Sequence, residues 1–348
     1  MGRGCGMLER SQKLAIYLEG AVGGMFGKMG AGVLRYSPNP VAAVVDTVTA
    51  GGDVRRLMGS PRDCPIVSTM REARDLGAEV LVLGLAPPGG LIPPEWMAEI
   101  DAAVGMGMSV VNGLHDRLAP RYPTLARGQW IWDVRIEPVG LGVGTGAAAK
   151  LSNVRLLMAG TDMAIGKMTA GLEIVKSALD AGIRAEFVAT GQIGIVIMGT
   201  GVPLDAVRVD YATGAIERET MRHRDAELIV VEGQGSLIHP GSTSSLPLVR
   251  GSCANRLVLC HKAGMTHLQK VPEVAVPPLR ELIALWEAMG SACGTFPIPR
   301  CAGVALNTWG LDEDAASRAI AAIEDETGLT CSDPVREGGE KLMRAVMA

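Results

Sequence analysis

Short, β-branched apolar runs recur through the first third of the chain, each closed by a glycine or a small polar residue: Val41–Asp46, Pro65–Ser68, Glu79–Gly84 and Met108–Gly113. Runs of this length predict strands buried on both faces, the habit of a parallel sheet. Helical segments fit between them. Ser68–Leu76 opens on a serine cap with Glu72 in its first turn, and Pro94–Gly105 opens on a proline followed by Glu95. The alternation is Rossmann-like but carries no GxGxxG fingerprint. The loop Pro87-Pro88-Gly89-Gly90 follows the third of these strands. It lies at the carboxyl edge where open α/β sheets bind ligands, and it reads equally well as a rigid connector.

From Glu137 to Asn153 the chain is rich in glycine and alanine, which marks a boundary between a first domain, 1–148, and a second, 149–348. Strands are expected again at Val154–Met158, Glu186–Ala189, Leu228–Val231, Arg256–Leu259 and Gly303–Leu306. Lys167–Ala181 is expected to be a helix, with Met168, Leu172, Val175 and Leu179 as its apolar face. The fold class is therefore α/β, a Rossmann-like N-terminal domain followed by a P-loop NTPase-like parallel α/β domain.

Composition narrows the function classes. The 348 residues are 48% hydrophobic, with 45 glycines and few aromatics (Phe 3, Tyr 4, Trp 5), so the core is aliphatic and the chain turns often. Lys plus Arg number 33 against 37 Asp plus Glu, a net charge of -4. No basic field exists to hold nucleic acid or an anionic membrane, so any bound anion needs a local site. The seven cysteines (Cys5, Cys64, Cys253, Cys260, Cys293, Cys301, Cys331) form no CxxC pair, which fits a reducing, cytoplasmic setting. The segment Met1–Arg10 carries Arg3 but no apolar run, and nowhere does the sequence reach the roughly 18 apolar residues of a membrane span. The expected partners are small molecules, without nucleic acid or membrane; self-association into a homo-oligomer stays open.

One segment carries the sharpest chemistry: Gly160-Thr161-Asp162-Met163-Ala164-Ile165-Gly166-Lys167-Met168-Thr169, between a strand and a helix. Glycines let backbone close around an anion, the helix amino terminus adds N–H groups, and Lys167 adds a point charge. The loop is one residue longer between its glycines than GxxxxGK[ST], and Met168 replaces the hydroxyl that ordinarily meets Mg²⁺. Thr169 lies about 100° further round the helix and does not substitute for it.

A second segment, Leu228–Val231 followed by Glu232-Gly233-Gln234-Gly235-Ser236, ends a buried strand on a carboxylate suited to hold a metal or accept a proton. His239, in the long Gly233–Gly251 segment, is a second proton acceptor, although a lone loop histidine is more often simply exposed. Asn307 and Thr308 follow a late strand and can read a purine edge. Cys260-His261 with His267 lacks a fourth ligand for zinc. On the first domain, Arg35, Asp46 and His115 are polar groups beside turns and strand ends. Arg35 and Arg135 suit carboxylates, and Asp46 suits an ammonium. Together they imply a substrate pocket that faces the phosphate loop.

The Gly160–Lys167 loop with Glu232-Gly233-Gln234-Gly235 resembles dethiobiotin synthetase and its cobyrinate amidotransferase relatives. Over nearly the whole chain a closer resemblance is to a family associated with D-glutamate N-acetyltransferase. The matching segments are Leu34–Pro38, Ala86–Gly90, Gly113–Asp116, Gly160–Thr169, Phe187–Gln192, Val231–Gly235 and Leu259–His261. The resemblance implies an acyltransferase that moves acetyl from acetyl-CoA to the amine of D-glutamate or a related amino acid. Gly160, Thr161, Asp162, Gly166, Lys167, Met168, Thr169, Asn307 and Thr308 would bind the cofactor. Arg35, Asp46, His115, Arg135 and Gln192 would bind the substrate. Glu232 and His239 are the catalytic candidates, and no obligatory metal is expected. Loss of the Mg²⁺ hydroxyl costs such an enzyme little, since CoA phosphates need cradling but no phosphoryl transfer. A covalent route through Cys253 or Cys260 is a variant. An ATP-dependent ligase or carboxylase and a nucleotide-sensing non-enzyme are the alternatives.

Overall fold

The computed structural model describes residues 8–348; Arg3 and Cys5 lie outside the described residues. The chain divides into two units, residues 1–136 with 192–203, and residues 137–191 with 204–348.

Unit 1 is built on six strands: β1 (Leu14–Tyr17), β2 (Val41–Val45), β3 (Ile66–Val67), β4 (Val80–Leu83), β5 (Ser109–Asn112) and β6 (Ile131–Asp133). Every pairing is parallel, in the order β3-β2-β1-β4-β5-β6. Helices α1 (Lys28–Tyr36), α2 (Val54–Met58), α3 (Met70–Asp75) and α4 (Met97–Gly105) connect them. The strands β2 to β5 fall on the four apolar runs. The centre of the sheet is β1, a four-residue Leu-Ala-Ile-Tyr run too short to stand out, yet completely buried between β2 and β4.

A single 3-10 turn at Met25–Gly27 leads into the glycine-dense helix α1. Its glycines serve packing: a Cβ on Gly30 would sit 2.8 Å from Leu18 and 2.9 Å from Ile16, and one on Gly84 2.9 Å from the Gly30 Cα. Helix and sheet approach more closely there than any side chain permits.

Unit 2 carries the second parallel sheet, in the order β12-β11-β10-β7-β9-β8. Its strands are β7 (Val154–Gly160), β8 (Ala185–Val188), β9 (Leu228–Val231), β10 (Arg256–Lys262), β11 (Arg300–Asn307) and β12 (Thr330–Ser332). In chain order the remaining helices are α5 (Lys167–Asp180), α6 (Gln192–Met198), α7 (Val209–Arg222), α8 (Ser245–Ser252), α9 (Leu279–Ser291), α10 (Glu313–Thr327), α11 (Pro334–Glu337) and α12 (Glu340–Met347). Of these α6 belongs to unit 1, where it packs on α1.

Two expectations need correction. The chain enters unit 2 at Glu137, twelve residues before 149, because the glycine-rich stretch is tied to α7. There the buried Glu217 carboxylate accepts from Thr145 N–H, Thr145 O–H and Ala147 N–H, and Arg208 pairs with Glu137 at 2.7 Å. The buried face of α5 is wider than the expected stripe and shifted from it. Leu172 and Val175 are buried as expected and Ala170, Gly171, Ile174 and Ala178 are buried with them, while Met168 is half-buried and Leu179 is 55% exposed. Gly171 sets this face, since a Cβ there would lie 2.9 Å from Phe187 and 3.2 Å from Met158. Among the described residues no helix is long and apolar enough to cross a membrane, and Cys64, Cys253, Cys260, Cys293, Cys301 and Cys331 are all free thiols.

Candidate active site

The phosphate loop leaves β7 at Gly160 and delivers the chain into α5 at Lys167. Ala164 and Gly166 both adopt positive φ, 55° and 111°. Left-handed residues so close together belong to the backbone arrangements that build anion nests, and an alanine held there is strained. Thr161 is buried. Its N–H donates to the Cys260 carbonyl, its hydroxyl lies 3.0 Å from His261 Nδ1, and its carbonyl accepts from the Ser236 hydroxyl. Asp162 holds the far side of the loop, its carboxylate accepting from Met163 N–H and Gln269 N–H.

Lys167 is enclosed in the loop, with its ammonium donating to the Asp162 carbonyl at 2.6 Å. Burial pushes its pKa down, against the opposing pull of Cys260, Asp162 and Glu232. Glycines clamp it on two sides. A Cβ on Gly160 would sit 3.0 Å from Nζ, and one on Gly233 would meet Lys167 Cδ at 2.9 Å and the Met158 carbonyl oxygen at 1.7 Å.

Glu232 follows β9 and is buried. One carboxylate oxygen accepts from Thr190 N–H at 2.8 Å and Gly191 N–H at 3.0 Å. Burial outweighs these bonds and the nearby Lys167, pushing the pKa up to about 7. A fixed carboxyl that titrates near neutrality is suited to proton transfer. Gln234 Nε2 donates to the Thr190 hydroxyl, bracing the turn that holds Glu232.

Beside the loop a cavity of about 630 Å³ opens, with Ile165, Gly166 and Thr169 on one wall and Leu306, Asn307, Trp309, Val335 and Arg336 around the rest. Met168 is half-buried and not part of its lining.

The late-strand pair behaves differently from the expectation. Asn307 Nδ2 donates to the Ile165 carbonyl and its Oδ1 accepts from Trp309 N–H, so the side chain ties the phosphate loop to the loop after β11. Thr308 is wholly buried and not part of the cavity lining, bonding to Asp333 through its N–H and hydroxyl. It positions Asp333 rather than reading a ligand. His239 is part of a compact turn, its Nδ1 accepting from Gly241 N–H. That turn is shorter than the expected Gly233–Gly251 loop, because α8 begins at Ser245. Burial raises the Cys253 thiol and pushes Cys260 up to about 12, which disfavours the thiolate that the covalent route needs.

Unit 1 gathers three of its five candidates. Arg135 Nε donates to the Gly113 carbonyl, and Arg135 Nη1 lies 2.6 Å from His115 Nε2. Gln192, first residue of α6, packs its Cγ 3.4 Å from where a Gly113 Cβ would stand. His115 N–H donates to the Gly90 carbonyl, and a Cβ on Gly90 would fall 2.4 Å from the imidazole, so the Pro87–Gly90 loop borders this cluster.

The other two candidates do not join. Asp46 is buried at the end of β2, accepting from Gly20, Val48 and Thr49 N–H groups and the Thr49 hydroxyl. It is a turn-forming carboxylate, three strands from β5, or about 14 Å at ~4.8 Å per strand. Arg35 sits in the last turn of α1. That helix starts beside Gly84 at the carboxyl edge and ends where the chain enters β2 at the amino edge, so Arg35 is at the wrong end of the sheet.

Comparison with known proteins bears on both units. The model of the P-loop domain of DUF1611, described as a domain of unknown function, matches residues 142–343, and that of its Rossmann-like domain matches residues 47–137. The chain belongs to the DUF1611 family. A crystal structure of a DUF1611 family protein from Anabaena variabilis is 48% identical, covers 97% of this chain and 99% of its own, and superposes with a TM-score of 0.94. Two curated relatives are named D-glutamate N-acetyltransferase. The one from Tritonibacter scottomollicae is 36% identical over 80% of this chain and 84% of its own length, and the one from a Pseudoalteromonas species 33% identical over 78% and 82%.

In this DUF1611 chain the sequence reading missed the braces of the site. Thr190, Gly191 and Gln234 hold Glu232, while Trp309, Val335 and Arg336 surround the cavity. Gly191 and Gln234 belong to segments the resemblance singles out. Nothing in the spacing of Trp309 or Val335 marks them.

Proposed function

We propose that this chain is an N-acetyltransferase that moves acetyl from acetyl-CoA to the amine of D-glutamate or a related amino acid. The observation that carries the reading is a phosphate loop with its lysine in place and Met168 where phosphoryl-transfer enzymes keep a metal-binding hydroxyl. The names of the two curated relatives agree with it. Acetyl-CoA brings an acetyl group activated as a thioester, and a diphosphate that needs a cradle. Gly160, Thr161, Asp162, Gly166 and Lys167 form that cradle, and the ammonium that burial disfavours gains an anionic partner there. Glu232 takes a proton from the acceptor's ammonium group, freeing the nitrogen lone pair for attack on the thioester carbonyl, while its backbone N–H bonds keep the carboxylate fixed. As the C–N bond forms the C–S bond breaks, the CoA thiolate leaves and takes up the remaining excess proton of the nitrogen, and Glu232 returns its proton to solvent. On unit 1, Arg135, held by Gly113 and His115, is by itself a cation suited to a carboxylate. The six cysteines among the described residues are free thiols, which suits work in a reducing cytoplasm.

The test is Lys167→Ala. Removing a buried ammonium spares the fold a desolvation cost, so the circular-dichroism spectrum and melting temperature hold, while KM for acetyl-CoA rises at least about tenfold. An unchanged KM would remove the phosphate loop from the reading.

A further inference from the structure

The cavity beside the phosphate loop has a feature that the acetyl transfer does not require. Trp309 lines it while 80% exposed. A large aromatic left so open is worth explaining only when something fixes it, and here something does. Its backbone N–H donates to Asn307 Oδ1, the same side chain whose Nδ2 holds the phosphate loop through the Ile165 carbonyl. The indole and the anion cradle are therefore braced by one amide.

The rest of the cavity is apolar or electrically balanced. Ile165, Ala170, Leu306, Pro334 and Val335 contribute hydrocarbon. Asp333 is buried with its oxygens accepting from Thr308 and Val335 N–H groups, and Arg336 lies 3.9 Å away with its Nε donating to the Thr308 hydroxyl. Carboxylate and guanidinium offset each other across that wall. The phosphate loop reaches the cavity through Ile165, Gly166 and Thr169, with Lys167 enclosed behind them. An elongated ligand with a diphosphate at the loop would thus direct a flat, uncharged ring system toward Trp309.

We propose that this cavity receives the adenosine end of the acyl donor, with the Trp309 indole stacking on the purine, so that the enzyme selects nucleotide-bearing thioesters over donors with a pantetheine arm alone. The inference rests on the acetyltransferase reading for its donor, but its geometry concerns nucleoside binding and is tested separately. At about 630 Å³ the cavity has ample room for a nucleoside. The base is gripped by stacking and apolar contact, and Trp309 is a specificity-determining residue rather than a catalytic one.

Calorimetric titration of the full chain with adenosine 3',5'-bisphosphate, CoA and pantetheine, for wild type, Trp309→Ala and Trp309→Phe, decides it. The bisphosphate and CoA should bind wild type, and pantetheine at least about tenfold more weakly than CoA. Trp309→Ala should weaken CoA and bisphosphate alike by roughly tenfold or more, and Trp309→Phe should restore most of the loss, as expected for a stacked base. In turnover the alanine variant raises KM for acetyl-CoA with little change in kcat. Equal affinities for CoA and pantetheine, or a bisphosphate affinity indifferent to Trp309, would overturn the proposal while leaving acetyl transfer standing. Bisphosphate binding that depends on Trp309, without transfer from any thioester, would support the nucleoside site and sink the acetyltransferase reading.

Discussion

Glu232 shows how burial turns an ordinary carboxylate into a group that titrates at working pH. Its carboxyl is held at about 7 against 4.5 for an unperturbed glutamate, with desolvation as the leading cause. Between those values the native state binds a proton that the unfolded chain has released, so stability falls as pH rises from about 4.5 to about 7 and levels off above. Glu232→Gln removes that slope. The variant's melting temperature should gain on wild type between about pH 5 and pH 8, by the equivalent of at most about 3 kcal/mol. A difference that stays constant over that range would show that Glu232 is not perturbed. The same variant should lose roughly 10²- to 10⁴-fold in turnover, and wild-type kcat/KM should climb through about pH 7 as the base deprotonates. At this scale residue type and position, a carboxylate just after β9 and a lysine at the start of α5, are what draw attention to Glu232 and Lys167. Position along the chain says nothing about which donors a carboxylate already serves, and Asp46, consumed by Gly20 and Thr49, was misjudged for that reason.

At the scale of elements, the strand-loop-helix from β7 to α5 and the turn after β9 are held together by the absence of side chains. Gly233 lies against the Met158 carbonyl and over the Lys167 stem, at distances no Cβ tolerates. Gly233→Ala should therefore cost several kcal/mol or prevent folding, because the obstacle at Met158 is backbone and cannot rotate away. Gly142→Ala has nothing within 4 Å and should change stability by no more than about 0.5 kcal/mol. Melting curves of the two variants check the contrast, and equal stabilities would contradict the close packing. Apolar runs made β2 to β5, β7 and β9 to β11 legible, since a parallel strand buried on both faces writes itself as an unbroken hydrophobic stretch. Glycine-dense α1 was hidden because its glycines answer to packing against Leu18 and Gly84 and not to helix propensity. The face of α5 was legible at Leu172 and Val175, which are buried, but not at Gly171, whose missing side chain marks a close approach to Phe187 and Met158.

At the scale of the molecule, two parallel α/β units share one chain, and the chain passes between them more than once. Residues 192–203 leave unit 2 to place α6 on unit 1 before the chain returns at Leu204. Local pattern cannot reveal such an excursion, because an apolar helix reads alike wherever it packs. Each unit presents one cluster suited to a small anionic metabolite: Arg135, His115 and Gln192 on unit 1, and the loop from Gly160 to Lys167 with Glu232 on unit 2. The acyl transfer proposed for unit 2's cluster calls for no phosphoryl-transfer metal. The most direct measurement is free-thiol release from acetyl-CoA in the presence of D-glutamate, with a metal chelator and without ATP, alongside L-glutamate and other amino acids. Thiol should appear in step with N-acetyl-D-glutamate; absence of thiol release, or product formed only when ATP and Mg²⁺ are supplied, would contradict the account.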